Sequence, residues 1–260
     1  MAWLDTGNVT LHYEQLGVGD PPVLLIHELG GNWQSWRQLQ PVLAESRRTY
    51  AVDLRGYGLS EKPIGPYEIE VYADDLAAFM RTAKISVADV IGTAMGAVIG
   101  ASLAIRHSDL VRRLVLCDGT DGMTIEAKRY THERAVKVRA AGMRPVVISS
   151  LTNSFPQHHA ALREDYRAIY LANDPIAYAE ASEALARMNI AAEDFARVKA
   201  PTLAVTGAHD FIWPPETGRR LARLIPGARF AVIANAGHFP HIQTPNEFAR
   251  LVVEFLDEKT

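Results

Sequence analysis

Short apolar segments alternate with helical patterns along most of this 260-residue chain. The apolar segments lie at residues 23–26, 50–52, 87–91, 113–116, 202–205 and 230–233. Segments that are apolar throughout are typical of parallel strands, because helices cover both faces of such a sheet. Between them, apolar residues recur at helical spacing, as at Tyr72, Leu76 and Phe79. The alternation predicts an α/β fold in which helices cover both faces of a mostly parallel sheet.

Residues 121–195 interrupt this alternation. They are rich in alanine, arginine, glutamate and tyrosine, and they show helical patterns without a convincing strand. The strand pattern resumes at residue 202, so the interruption falls at the carboxyl edge of the sheet, where α/β proteins bind ligands. We therefore expect a core domain of residues 1–120 and 196–260, with residues 121–195 inserted as a helical cap, or lid.

The composition favours one globular unit that acts on a small molecule. Hydrophobic residues make up 48% of the chain, the formal net charge is −3, and there is a single cysteine. One large core is expected, and the charge does not indicate nucleic acid or an anionic membrane as a partner. The first residues lack the pattern of a signal peptide, and no segment has the roughly 20 apolar residues of a membrane span. We expect a cytoplasmic protein, and its oligomeric state stays open.

The segment of residues 90–100 has the pattern of a nucleophile elbow without a nucleophile. An apolar strand leads into Gly92 and Gly96, with Ala94 midway between them, and a helix of small residues follows. In the G-x-S-x-G motif the middle serine lies on a strained turn, and the glycines permit the close approach of strand and helix. Because the methyl group of alanine cannot attack a carbonyl carbon, Ala94 leaves this site without its expected nucleophile.

Two further residues follow the elbow in a characteristic order. Asp210 comes after the strand pattern at 202–205, and His238 comes after the next strand. The order of elbow, acid and histidine resembles that of the α/β-hydrolase fold family. Residues 27–31 are similar to the oxyanion loop of that family, and residues 53–60 match its Asp-x-Arg-Gly-x-Gly-x-Ser turn.

The resemblance implies a role for each matched position. His238 would be the general base, Asp210 would orient it, and the backbone amides of Leu29 and Met95 would form the oxyanion hole. Position 94 would hold the nucleophilic serine. The stretches at 53–60 and 134–143 resemble most the 3-oxoadipate enol-lactonase group of carboxylesterase-like hydrolases, which implies a small ester or lactone as substrate and no cofactor.

Several other residues are candidates for contacts with the substrate. Glu28 stands where the family often has glycine, so it could line the pocket or form an ion pair. Arg134 could meet a carboxylate, and Asp118 is an alternative to Asp210 as the acid. His158 and His159 lack the further ligands of a zinc site, so no metal is expected. The substrate-binding candidates are Glu28, Tyr130, Arg134, Phe155 and Trp213.

Three interpretations of Ala94 remain open. In the first, the chain is a serine hydrolase whose nucleophile has been replaced by design, which leaves an inactive form that can hold its substrate. In the second, the alanine is native, and His238 with Asp210 activates water or abstracts a substrate proton without a cofactor. In the third, the protein binds a small molecule and performs no chemistry.

Overall fold

One mixed sheet runs through the centre of the molecule. The computed structural model describes residues 2–65 and 67–258. Within them, eight strands are arranged in the order β1-β2-β4-β3-β5-β6-β7-β8. Strands β1, β2 and β4 pair in antiparallel fashion, and β4, β3, β5, β6, β7 and β8 pair in parallel. The strands are β1 Ala2–Asp5, β2 Thr10–Leu16, β3 Val23–Ile26, β4 Thr49–Val52, β5 Ala88–Thr93, β6 Val111–Cys117, β7 Thr202–Gly207 and β8 Arg229–Ile233.

Helices connect the parallel strands and cover the sheet. They are α1 Leu39–Ala44, α2 Ile69–Thr82, α3 Met95–Arg106, α4 Ile125–Ala141, α5 Arg144–Ser154, α6 Ala160–Leu171, α7 Pro175–Arg187, α8 Ala192–Phe195, α9 Pro215–Leu224, α10 Pro240–Gln243 and α11 Pro245–Asp257, with 3-10 turns at Trp33–Trp36 and Gln157–His159. Among the described residues, no helix combines the length and the apolar character that crossing a bilayer requires.

Two hydrophobic clusters lie on opposite faces of the sheet. In β3, Leu24 and Ile26 belong to one cluster, whereas Val23 and Leu25 belong to the other. All four side chains are fully buried, as alternation along a strand requires when both faces are covered. The predicted α/β fold with a mostly parallel sheet is therefore confirmed.

The parallel strands bring distant segments together at one edge. Strand β5 ends at Thr93 beside Cys117 at the end of β6, and β7 ends at Gly207 beside Ile233 in β8. Since parallel strands run in the same direction, the segments that follow them emerge on the same side. The residues that follow these strands can therefore meet, although they are far apart in the chain.

The helices α4 to α8 lie between β6 and β7 in chain order. Helix α4 packs against α7, and α5 packs against both α4 and α6. Tyr166, Tyr170 and Tyr178 from these helices are buried in the same cluster as core residues of the sheet. The inserted helices therefore pack on the core domain. That residues 121–195 act as a lid over a site stays a prediction.

Candidate active site

The elbow keeps its strained geometry with alanine at its centre. Ala94 has φ of 50° and ψ of −116°, and helix α3 begins at the next residue. A Cβ atom on Gly92 would lie 2.1 Å from the carbonyl oxygen of Gly96, and one on Gly96 would lie 2.2 Å from that of Ile26. Both positions require glycine because backbone approaches backbone there. The local backbone is therefore that of an elbow, with the methyl group of Ala94 at its centre.

We expect glycine at position 94 to stabilise the protein. The positive φ of Ala94 is costly for a residue with a Cβ atom, by about 1–3 kcal/mol, whereas the entropy that glycine adds to the unfolded chain costs about 0.4–1 kcal/mol. Ala94→Gly should then raise the melting temperature by about 2–4 °C, measured by calorimetry. Ala97→Gly, inside helix α3, is the control and should lower it. Equal losses in both variants would contradict the strain at Ala94.

A histidine and a carboxylate form a hydrogen-bonded pair at this edge. Nδ1 of His238 lies 2.8 Å from Oδ2 of Asp210, and both side chains are buried. The other oxygen of Asp210 accepts the amides of Ile212 at 2.8 Å and Trp213 at 3.0 Å. The carboxylate is thus held by the backbone, and it orients the imidazole through Nδ1. The remaining nitrogen, Nε2, is the one left for proton transfer.

A second carboxylate, from Asp118, lies beside this pair. Asp118 follows β6 with φ of 45°, and its Oδ1 accepts the amide of Gly207 at 3.0 Å. Asp118, Asp210 and His238 each place a side-chain oxygen or nitrogen within 4.8 Å of the other two. The sequence presented Asp118 and Asp210 as alternatives. The structure brings both together, with the hydrogen bond to His238 made by Asp210, and the absence of a metal stays a prediction.

The loop after β3 is fixed by hydrogen bonds of His27. Its Nδ1–H donates to the carbonyl of Glu28 at 2.8 Å, and its Nε2 accepts the amide of Leu54 at 3.1 Å. Burial lowers the pKa of His27, which agrees with a neutral ring that donates at one nitrogen and accepts at the other. Leu29, two residues after His27, lines the same cavity as Met95. The amide of Met95 is in the first turn of α3, so it has no acceptor within the helix.

Glu28 forms a buried polar cluster instead of standing free in the pocket. Its Oε1 accepts a hydrogen bond from Ser35 at 2.6 Å and another from Tyr166 of helix α6, and Nε2 of His241 lies 3.6 Å from Oε2. Burial alone would raise the pKa of Glu28, but His241, with smaller contributions from His27 and Ser35, outweighs burial and lowers it to about 2. Glu28 is therefore an ionised residue that connects the loop to α6.

A cavity of about 140 Å³ contains the predicted centre of the site. Ala94, Met95, Leu29 and His238 all line it, so the structure brings together the positions that the sequence assigned to nucleophile, oxyanion hole and base. Trp213 lines the cavity too. Its ring packs edge-on against that of His238, with 5.4 Å between the ring centroids. The remaining wall comes from helices α4 to α7, from the loop after β3 and from loop residues Met123, Ile212 and Phe239.

Arg134 is the cation of this cavity. Its guanidinium lies 5.8 Å from the ring centres of both Tyr130 and Tyr178, and its Nε is buried without a hydrogen-bond partner. No carboxylate of the described residues forms an ion pair with it. On the same helix, Arg139 is paired with Glu180 and Glu183.

The predicted substrate contacts divide into two groups. Glu28, Tyr130, Arg134 and Trp213 line the cavity, whereas Phe155 does not. Phe155 is fully buried against Tyr166 and Phe239, so its role is packing. Sequence reasoning missed several lining residues, because nothing in a single sequence shows which face of an inserted helix will be turned to the cavity. They are Met123, Ala127, Thr131, Ser150, Leu151, Asn153, Ser154, Leu185, Ile212 and Phe239.

Comparison with known proteins agrees with this fold. The family model described as "alpha/beta hydrolase fold" matches residues 21–245, and the chain belongs to that family. A 2-hydroxymuconate semialdehyde hydrolase from Pseudomonas sp. (strain CF600) is 30% identical over 91% of this chain and 87% of its own. The 3-oxoadipate enol-lactonase 2 of Acinetobacter baylyi is 26% identical over 96% of this chain and 94% of its own. The crystal structure of the enol-lactonase from Burkholderia xenovorans LB400 matches with a TM-score of 0.94 and 30% identity, covering 99% of this chain and 100% of that one.

Proposed function

We propose that this chain carries the site of a hydrolase for small carboxylated esters or lactones, with alanine in place of the nucleophile. The observation that carries this proposal is the His238–Asp210 hydrogen bond of 2.8 Å beside a cavity that Ala94 also lines. A buried, oriented imidazole next to an elbow is the arrangement that activates a hydroxyl nucleophile.

With serine at position 94, each step has a residue to perform it. The serine oxygen would attack the substrate carbonyl while Nε2 of His238 takes the hydroxyl proton, and the amides of Leu29 and Met95 would bind the oxyanion. His238 would then return the proton to the leaving oxygen, and water would release the acid. With Ala94 the substrate can bind, but no acyl-enzyme can form, which agrees with an engineered inactive form. Hydrolysis by an Ala94→Ser variant is the direct test.

The size of the cavity favours a small substrate. Its volume of about 140 Å³ is close to that of engineered cavities, about 150 Å³, that hold one benzene molecule. An acyl chain of many carbons would therefore have to leave the cavity or displace the helices that line it. A compact lactone or short ester fits without either change.

The positive charge of Arg134 favours a carboxylate on that substrate, whereas the negative charge of Glu28 in the same cavity is satisfied by its buried hydrogen bonds. Arg134 has no acidic partner among the described residues, and a guanidinium pairs well with a carboxylate because its N–H groups match the two oxygens. Tyr170 and Ser150 also line this cavity, joined by a hydrogen bond of 2.8 Å. Tyr170 donates to Ser150, whose own hydroxyl proton could be donated to the same anion.

We expect Arg134 to determine affinity for carboxylated ligands. In the Ala94 protein, Arg134→Gln should raise the Kd of a carboxylated γ-lactone by about 10- to 100-fold, since hydrogen bonds to charged groups contribute about 1.5–3 kcal/mol. The Kd of its neutral methyl ester should change by less than about threefold. Titration calorimetry measures both. Lys137→Gln, an exposed position on the same helix, is the control, and equal losses for acid and ester would contradict the assignment.

A further inference from the structure

Two buried carboxylates share the space behind His238. Asp118 and Asp210 are 0% and 4% exposed. Asp210 accepts two backbone amides in addition to His238, whereas Asp118 accepts one, from Gly207. These donors are neutral dipoles, so they reduce the cost of one buried charge and cannot neutralise two.

Among the described residues, no permanently charged cation balances this pair. The titratable groups that face Asp118 are Cys117 on β6, Asp210 after β7 and His238 after β8, and Thr93 on β5 faces the thiol of Cys117. Within the part of the chain that the structure describes, neither carboxylate forms an ion pair with lysine or arginine. If both carboxylates were ionised, two buried negative charges would face one imidazole. Like charges so close together normally retain one proton between them.

We propose that Asp118 is a protonated positioning residue, a neutral carboxylic acid that keeps the Asp118–Asp210 pair at a single negative charge. The resting pair with neutral His238 then carries one charge, and protonation of His238 makes the cluster neutral. This role rests on the proposed function only in taking His238 as the base, since the state of the pair does not involve position 94. Burial and the charge of Asp210 raise the pKa of Asp118 well above its usual range, in agreement with this assignment.

The thiol of Cys117 supports the same assignment. Its sulfur lies 2.9 Å from Oδ2 of Asp118, and burial together with Asp118 raises its pKa, so it stays a thiol. A thiol is a weak donor and stabilises an ionised carboxylate poorly. Asp118 therefore has fewer and weaker donors than Asp210, and the proton belongs on Asp118.

The pH dependence of stability tests the proposal without any assay of activity. If the pKa of Asp118 in the folded protein lies above the unfolded value of about 3.9, the folded protein keeps a proton that the unfolded chain releases. The contribution of Asp118 to stability then falls as pH rises. Asp118→Asn removes this pH-dependent contribution. The melting temperature of the variant minus that of the parent should increase by about 2–4 °C for each pH unit between 5 and 8. Asp109→Asn, at an exposed position, is the control and should give a flat difference.

A second measurement distinguishes a neutral from an ionised Asp118. The pKa of His238, followed by NMR, should change by less than about 0.3 unit in Asp118→Asn, because one neutral group replaces another. It should fall clearly in Asp210→Asn. A fall of about 1 unit or more in Asp118→Asn, or a melting difference independent of pH, would overturn the proposal. Carboxyl ¹³C titration of the unchanged protein needs no variant, and a resonance of Asp118 that titrates near pH 4 would also overturn it.

A divalent cation is the competing way to balance the same charges. Melting curves with EDTA, Mn²⁺ and Zn²⁺ address it directly. A proton on Asp118 predicts the same melting temperature in EDTA and Mn²⁺, and no shift by Zn²⁺ that depends on Asp118. Stabilisation by either metal that Asp118→Asn abolishes would show that a cation takes the place of the proton.

Discussion

Replacing Ala94 with serine is expected to raise hydrolysis of a small carboxylated ester or lactone by about 10⁴- to 10⁶-fold. The upper figure follows subtilisin, where removal of the catalytic serine costs about 10⁶ in kcat. We expect a large gain in rate because the elbow, His238 and the cavity are already in place. Nδ1 of His238 lies 2.8 Å from Oδ2 of Asp210, which orients the imidazole. The measurement is kcat/KM for a carboxylated lactone, followed by acid release.

Two controls separate this gain from general effects of a new hydroxyl group. Ala127→Ser adds the same group to the same cavity on helix α4, away from the elbow, and should leave the rate unchanged. Ala94→Ser combined with His238→Ala should lose the gain. A folded serine variant with the rate of the parent would refute the proposal. Activity in the unmodified protein that disappears in His238→Ala would instead support direct activation of water or of a substrate proton by the histidine.

Loss of the Glu28 carboxylate is expected to produce the largest loss of stability. Glu28→Ala leaves the hydroxyl groups of Ser35 and Tyr166 without their buried acceptor and removes the carboxylate that lies 3.6 Å from Nε2 of His241. Each unsatisfied buried donor costs about 1–3 kcal/mol, so the melting temperature should fall by about 4–24 °C. Because Tyr166 belongs to α6, the inserted helices should also lose protection in hydrogen exchange.

The pH dependence gives this prediction a sign. The pKa of Glu28 is lowered from 4.5 to about 2, so the stability it contributes is complete above pH 4.5 and is lost as pH falls toward 2. The difference in melting temperature between the parent and Glu28→Gln should therefore shrink from pH 5 to pH 3. Glu126→Gln, at an exposed position on α4, is the control. A difference that stays constant over this range would mean that Glu28 has an ordinary pKa.

Local patterns were sufficient to predict the sheet and the elbow. The predicted apolar segments match six strands to within two residues at either end, for example 23–26 with Val23–Ile26 and 202–205 with Thr202–Gly207. Burial on both faces leaves a strong periodic signal, and backbone contact at Gly92 and Gly96 demands glycine. These constraints act within a few residues, so a single sequence displays them.

The wall of the cavity could not be predicted in the same way. Phe155 was predicted to contact the substrate but is buried against Phe239, and Ser150, for which no substrate contact was predicted, lines the cavity. Both belong to the inserted helices, whose orientation depends on how α4 to α7 pack against one another. Helical patterns show that a residue is buried, and they do not show which neighbour buries it.

The sequence by itself determined the α/β fold, the elbow centred on Ala94, and the order in which Asp210 and His238 follow it. Only the tertiary structure decided that Asp118 lies beside Asp210, that Tyr166 and His241 adjoin Glu28, and that Arg134 faces the cavity with no acidic partner in the described parts of the chain. The physical reason is the range of the interactions. Strands, turns and close glycine contacts are set by neighbouring residues, whereas the charge state of a buried group depends on residues that the fold brings together from distant segments.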